Sequence, residues 1–105
     1  RGKSVAAGYL VLYYKKTRDT ENTLGITVTK KLGCAVVRNR VRRLIKECYR
    51  LREHELAVGY KMVIVARNRA AQADFYNIRG DIGYLLKKSG ILPQQETNAQ
   101  GKESK

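Results

Sequence analysis

The chain has 105 residues, 43% of them hydrophobic, which gives room for one domain with a modest core. A formal charge of +13 makes such a fold self-repelling, so a polyanion is the expected partner, nucleic acid ahead of an anionic membrane surface. No apolar run approaches the roughly 20 residues of a membrane span, and no signal-peptide pattern opens the sequence, so a cytoplasmic location is expected.

In chain order, residues 8–16, GYLVLYYKK, are β-branched and aromatic-rich and predict a strand. Alternation puts Leu10, Leu12 and Tyr14 on one face and Tyr9, Val11 and Tyr13 on the other. A polar loop over 17–23, TRDTENT, leads to a second strand over 24–30, LGITVTK, expected to run antiparallel to the first.

From about 35 to 53 the period changes. On a wheel of about 100° per residue, Val37, Val41, Leu44, Ile45, Cys48 and Leu51 fall within an arc of about 120°, which predicts a helix with that arc on a core. Arg38, Asn39, Arg42, Arg43, Lys46, Tyr49 and Arg50 take the opposite arc, with Arg40 toward one edge.

Residues 60–67, YKMVIVAR, read as an apolar strand buried on both faces, as a parallel central strand would be. Asp74 can N-cap a last helix with Phe75, Ile78, Ile82, Leu85 and Leu86 as its apolar stripe, and Gly90 fits the residue just past its end. Gly80 and Gly83 inside it cost about 1 kcal/mol each relative to alanine, so this helix depends on packing. The tail, 93–105, has no large apolar residue and balances two lysines against two glutamates, so the net charge lies in 1–92 and the tail is expected to be disordered.

The order strand, strand, helix, strand, helix predicts an α+β fold, a small α/β sandwich in residues 1–92 with helices against a sheet. A helix before Arg1 would complete it. Cys34 and Cys48, if on one helix, are about 21 Å apart, beyond the roughly 7 Å Cα limit for a disulfide. With no second CxxC and no histidine cluster they predict small buried or capping residues, and the charge-flanked His54 predicts a surface residue.

The basic helix is the strongest functional signal. Residues 30–52 hold nine lysines and arginines against one acid, Glu47, whereas a merely soluble helix mixes signs to gain i,i+4 pairs. Like charges at that spacing, such as Arg38 with Arg42, destabilise it, so folding alone does not favour this face. Arginine predominates, and its planar fork binds phosphate bidentately and stacks on bases, which suits structured RNA. Asn39 adds an amide for a base edge or a sugar hydroxyl. DNA is not expected, because a helix-turn-helix needs another helix just before this one and 24–30 alternates like a strand. A membrane surface is not expected either, since the apolar arc is narrow and a core strand follows. Tyr9, Val11 and Tyr13 either stack on unpaired bases or pack under a helix, and the residues themselves leave that open.

Residues 30–47, KKLGCAVVRNRVRRLIKE, closely resemble the protein subunit of bacterial ribonuclease P, whose signature is an RNR motif after a KKxGxAV lead-in. The likeness extends from Gly2-Lys3-Ser4-Val5, similar to the family's GxSV segment, through 10–13 and 24–31, to 63–67, and covers nearly all of 2–90. It implies a ribosomal-protein-like αβββαβα fold with a left-handed crossover between parallel strands, acting as accessory to a catalytic RNA. It implies also that the holoenzyme removes the 5′ leader of precursor tRNA by Mg²⁺-assisted hydrolysis of one phosphodiester, with the chemistry done by the RNA subunit. Carried over by position, Lys30, Lys31, Arg38, Asn39, Arg40, Arg42, Arg43 and Lys46 would meet RNA, and Arg50 continues their arc. Tyr13 matches an aromatic of the leader cleft; Val11 shares its strand face, and Tyr9 stays open. The family begins with a helix that walls the cleft, and this sequence starts at the end of that helix. It also has Arg69 where the family often carries proline. No pair of carboxylates and no nucleophile with a base stands out, so the chain alone is not expected to be catalytic. The competing expectation is a ribosomal-type structural RNA-binding protein.

Overall fold

Alternation and periodicity resolve into four strands and two helices in a computed structural model that describes residues 2–92; the predicted tail lies outside the described residues. Strands β1 (Lys3–Ala6), β2 (Leu10–Lys16) and β3 (Thr23–Thr27) precede helix α1 (Ala35–Arg50), strand β4 (Tyr60–Ala66) and helix α2 (Phe75–Ser89). The sheet order is β1-β2-β4-β3. β2 runs antiparallel to both β1 and β4, and β3 runs parallel to β4.

Both helices lie on one side of the sheet. Leu10 and Leu12 of β2 and Met62 and Ile64 of β4 meet Val41, Leu44, Ile45 and Cys48 of α1 and Ile78, Ile82, Leu85 and Leu86 of α2 in one buried core. The α2 cap is as predicted. The Asp74 carboxylate accepts from Asn77 N–H at 2.8 Å, Asp74 N–H donates to the Asn77 side chain at 3.0 Å, and Gly90 ends the helix in the left-handed region.

One expectation is sharpened and three are corrected. β3 runs antiparallel to β2, as expected, but β4 lies between them, because alternation identifies a strand but not its neighbour, and the six-residue connection leaves room for β4 to enter. β4 is central and parallel to β3, as expected, yet it is buried on one face only, with Val63 40% exposed on the other. Tyr9 sits outside β2 in the β1–β2 turn, where its N–H donates to the Asp81 carboxylate at 2.7 Å and its ring packs against the core. A strand precedes β2 that the residues alone did not announce; four residues are too few for alternation to register, although the family resemblance implied it.

The connection into β3 is pinned to the approach to β4. Thr17 N–H and its hydroxyl both donate to Gly59 C=O, at 2.6 and 3.0 Å. The Asn22 side chain donates to Ala57 C=O and accepts from Tyr60 N–H, each at 2.9 Å. Gly59 takes φ +91, and a Cβ there would stand 2.9 Å from Asp19 C=O. Gly59→Ala therefore meets both backbone strain and a main-chain clash, and should lower stability by about 1 to 3 kcal/mol in urea denaturation. An unchanged midpoint would remove this junction from the fold's requirements.

Candidate nucleic-acid interface

Helix α1 carries its charge as predicted and one aromatic where charge was predicted. Val41, Leu44, Ile45 and Cys48 are buried, while Asn39, Arg43, Lys46 and Arg50 are exposed and Arg38 and Arg42 half-buried along their stems. Tyr49 is buried instead of joining the basic arc, and burial pushes its hydroxyl pKa up, with Glu53 adding to the shift. Leu51 lies past the helix end and is exposed rather than in the core. A tyrosine at the edge of a wheel goes wherever its ring finds apolar surface, which its hydroxyl conceals from a polarity count.

Ahead of α1, a 3₁₀ turn at Lys30–Leu32 buries Leu32 and holds Lys30 and Lys31 in solvent. The segment before α1 is thus a strand and a tight turn, with no helix for a helix-turn-helix. Gly33 then redirects the chain, and Arg38 Nε donates to Gly33 C=O at 3.3 Å.

The basic residues divide by what they touch. Arg40 turns inward and donates to Ala71 C=O at 3.5 Å and Ala73 C=O at 2.5 Å, tying α1 to the turn that precedes α2. Asn39, Arg42, Arg43, Lys46 and Arg50 make no side-chain hydrogen bond to another described residue. Among the described residues the one acid–base contact within 4.0 Å is His54 Nε2 with the Glu55 carboxylate at 3.7 Å, so the arginines and lysines of α1 have no carboxylate partner there. His54 is on the surface, as expected.

The sheet face away from the helices is open. Its register aligns Ser4, Tyr13, Val63 and Gly25 in one row and Ala6, Val11, Val65 and Thr27 in the next. Tyr13 is 50% exposed at the middle of this surface and Val11 is half-buried beside it. Tyr9 does not join them; the Arg69 guanidinium lies over its ring, 5.2 Å from the centroid. One row further, Lys15 and Lys61 pair directly across β2 and β4, a like-charge juxtaposition that disfavours the sheet and draws an anion. The sequence reading missed these two because their alignment follows from the unforeseen β2–β4 pairing.

Cys34 and Cys48 are both free. Cys34 occupies the α1 N-cap, where the Val37 and then the Val36 N–H groups stabilise its thiolate and lower its pKa, with Arg38 assisting. Burial pushes the Cys48 thiol up to about 11, aided by Glu47 and opposed by Arg79. Among the described residues, no three His, Cys, Asp or Glu side chains gather, and no helix is long and apolar enough to cross a membrane.

The sequence profile of the ribonuclease P family matches residues 1–90. The chain belongs to the ribonuclease P protein family. It is 43% identical over 95 residues to the ribonuclease P protein component of Caldanaerobacter subterraneus subsp. tengcongensis, covering 90% of this chain and 82% of that one. Against the corresponding protein of Clostridium botulinum it is 48% identical over 92 residues, covering 87% and 83%. The fold superposes on the Staphylococcus aureus RNase P protein with a TM-score of 0.80 at 29% identity, covering 87% of this chain and 84% of that one. On the Thermotoga maritima RNase P protein the TM-score is 0.76 at 30% identity, covering 83% of each. The role is that of the protein subunit of ribonuclease P, a ribonucleoprotein endonuclease whose RNA performs the catalysis. The ribosomal-type alternative is set aside by the same matches.

Two outcomes follow from this division of residues. Arg40→Ala should lose about 1 kcal/mol or more of stability through its two carbonyl partners, whereas Arg42→Ala and Arg43→Ala should stay within about 0.5 kcal/mol of the parent in thermal unfolding; equal losses at all three would make the whole face structural. Iodoacetamide should modify native Cys34 but reach Cys48 only on unfolding, with the Cys34 rate rising at lower pH than for an unstructured cysteine. Faster labelling of Cys48 than of Cys34 would contradict both environments.

Proposed function

We propose that the chain docks on the ribonuclease P RNA through Arg38, Asn39, Arg42, Arg43, Lys46 and Arg50, led in by Lys30 and Lys31, and presents its open sheet face to the 5′ leader of precursor tRNA. The observation that carries this is the uncompensated charge of α1. Cations that face one another without paired acids destabilise a helix until phosphates neutralise them, and the described residues offer no carboxylate partner in their place. Arg40 supports the same surface from behind by fixing α1 against the turn before α2.

On the sheet, the Tyr13 ring offers an unpaired base a stacking platform at the exposed centre of the face, and Val11, Val63 and Val65 supply apolar surface around it. Lys15 and Lys61 sit one row away, where phosphates of the same strand would relieve their mutual repulsion. Tyr9 takes no part in this contact, since its ring is engaged by the core and by Arg69.

Mg²⁺ goes with the RNA, where it would neutralise phosphate charge and activate water for hydrolysis of the scissile bond. The chain's part is to hold leader and RNA together and to lower the repulsion between them, in the cytoplasm where precursor tRNA is made.

Cleavage of a precursor tRNA by a bacterial ribonuclease P RNA at low Mg²⁺, with and without the chain, tests this directly. The chain should restore cleavage. Arg42→Ala should weaken assembly with the RNA about tenfold and flatten the log-log salt dependence by about 0.7 to 0.9. Tyr13→Ala should reduce the preference for leader-bearing over mature tRNA by about fivefold or more. Unaltered assembly in the first variant, or an unaltered preference in the second, would remove that residue from the RNA contact.

A further inference from the structure

The outer side of α2 carries a groove of about 430 Å³ that the functions above leave unused. Tyr76, Arg79, Gly80, Gly83, Tyr84 and Lys87 line it, and Arg52 reaches in from beyond the end of α1. The two tyrosines are 72% and 51% exposed, although the Tyr76 ring meets the Phe75 ring edge to face with centroids 5.5 Å apart. No carboxylate lines the groove, and none of its three cations forms an ion pair among the described residues.

The two glycines differ in what they accommodate. A Cβ at Gly83 would stand 3.2 Å from Arg52 Nη2, so the absence of a side chain lets that guanidinium lie flat on the helix. Gly80 has no such internal reason. Its Cβ would meet nothing within 4 Å, and its backbone is ordinary helix in the middle of α2. Alanine there would favour the helix without a clash, so the bare floor suits an occupant that approaches closely from outside.

We propose that this groove is a second RNA site, in which the bases of an unpaired segment stack on Tyr76 and Tyr84 while its phosphates meet Arg52, Arg79 and Lys87. The identity of the polyanion rests on the ribonuclease P assignment. An unpaired strand presents planar faces and anionic groups in alternation, which matches rings and cations interleaved along a helix. An acidic peptide would satisfy the cations but bring nothing planar to the rings. Because the opposite side of α2 packs toward the sheet's inner face, the groove points away from Tyr13. The subunit would then hold RNA on two opposite sides.

The test uses the full chain with Gly80→Leu, Tyr84→Ala and, as an α1 control, Arg42→Ala. Each is melted and titrated with a fluorescent single-stranded oligoribonucleotide and with a bacterial ribonuclease P RNA. Gly80→Leu should raise the melting temperature by about 4 to 8 °C while weakening the oligoribonucleotide complex, a combination that damage to the fold would not produce. Tyr84→Ala should weaken that complex about fivefold or more. If both groove variants bind both RNAs like the parent while Arg42→Ala is impaired, the groove proposal falls and the α1 assignment stands. If Arg42→Ala is unimpaired as well, both fall. Groove variants that lose self-association with RNA affinity intact would also overturn the proposal, by making the groove a contact between copies.

Discussion

Strand β4 between β2 and β3 is the arrangement on which the rest of the molecule depends. Its antiparallel pairing with β2 brings Val63 beside Tyr13 and Lys61 beside Lys15, which builds the open face. Its parallel pairing with β3 requires a crossover, and α1 is that crossover. A helix held across the sheet in this way must give the core its apolar arc, and its basic residues are left facing out. Site and scaffold are therefore one decision. The junction around Gly59, Thr17 and Asn22 is small, but it fixes where β4 begins and so sets the register of everything on the exposed face.

Charge and stability pull against each other here. With +13 in the chain, and only a His54–Glu55 contact of ion-pair geometry among the described residues, the folded state has little internal compensation. What holds it is apolar burial in a core shared by β2, β4 and both helices, together with local devices such as the Asp74–Asn77 cap. Most basic residues of α1 are tolerated rather than stabilising; the exceptions serve neighbouring backbone, Arg40 at the turn before α2 and Arg38 at Gly33, as Arg67 does at Ala7. Binding to a polyanion removes the repulsion, so the free energy of assembly includes relief that the isolated protein never enjoys.

Much of this was legible in the residues. The α1 pattern was strong because sixteen helical residues sample the wheel several times over, and Val41, Leu44, Ile45 and Cys48 are all buried as their spacing requires. The α2 cap and its terminal glycine were legible because each has a local chemical cause. Strand pairing was not, since alternation in 24–30 says which face is apolar and nothing about which strand lies alongside. That one gap hid the Lys15–Lys61 pair and made β4 look buried on both faces. Tyr9 and Tyr49 show the limit for aromatics with hydroxyls: Tyr9 left its strand face because Asp81 holds its N–H, and Tyr49 entered the core, outcomes that depend on tertiary partners.

A sheet whose central strand is the last to be made cannot grow by zipping adjacent hairpins. During synthesis β1 and β2 can pair as soon as both exist, but β3 has no partner until 60–66 have emerged and α1 has folded back across it. Contact order makes the long-range closure that brings β4 between β2 and β3 the expected slow step of folding. Until then the basic helix is present without its core, held together only by contacts within its own turns. A polyanion bound at that moment would stabilise the helix before the sheet exists, so the RNA that the finished subunit serves can also act as a template on which it forms.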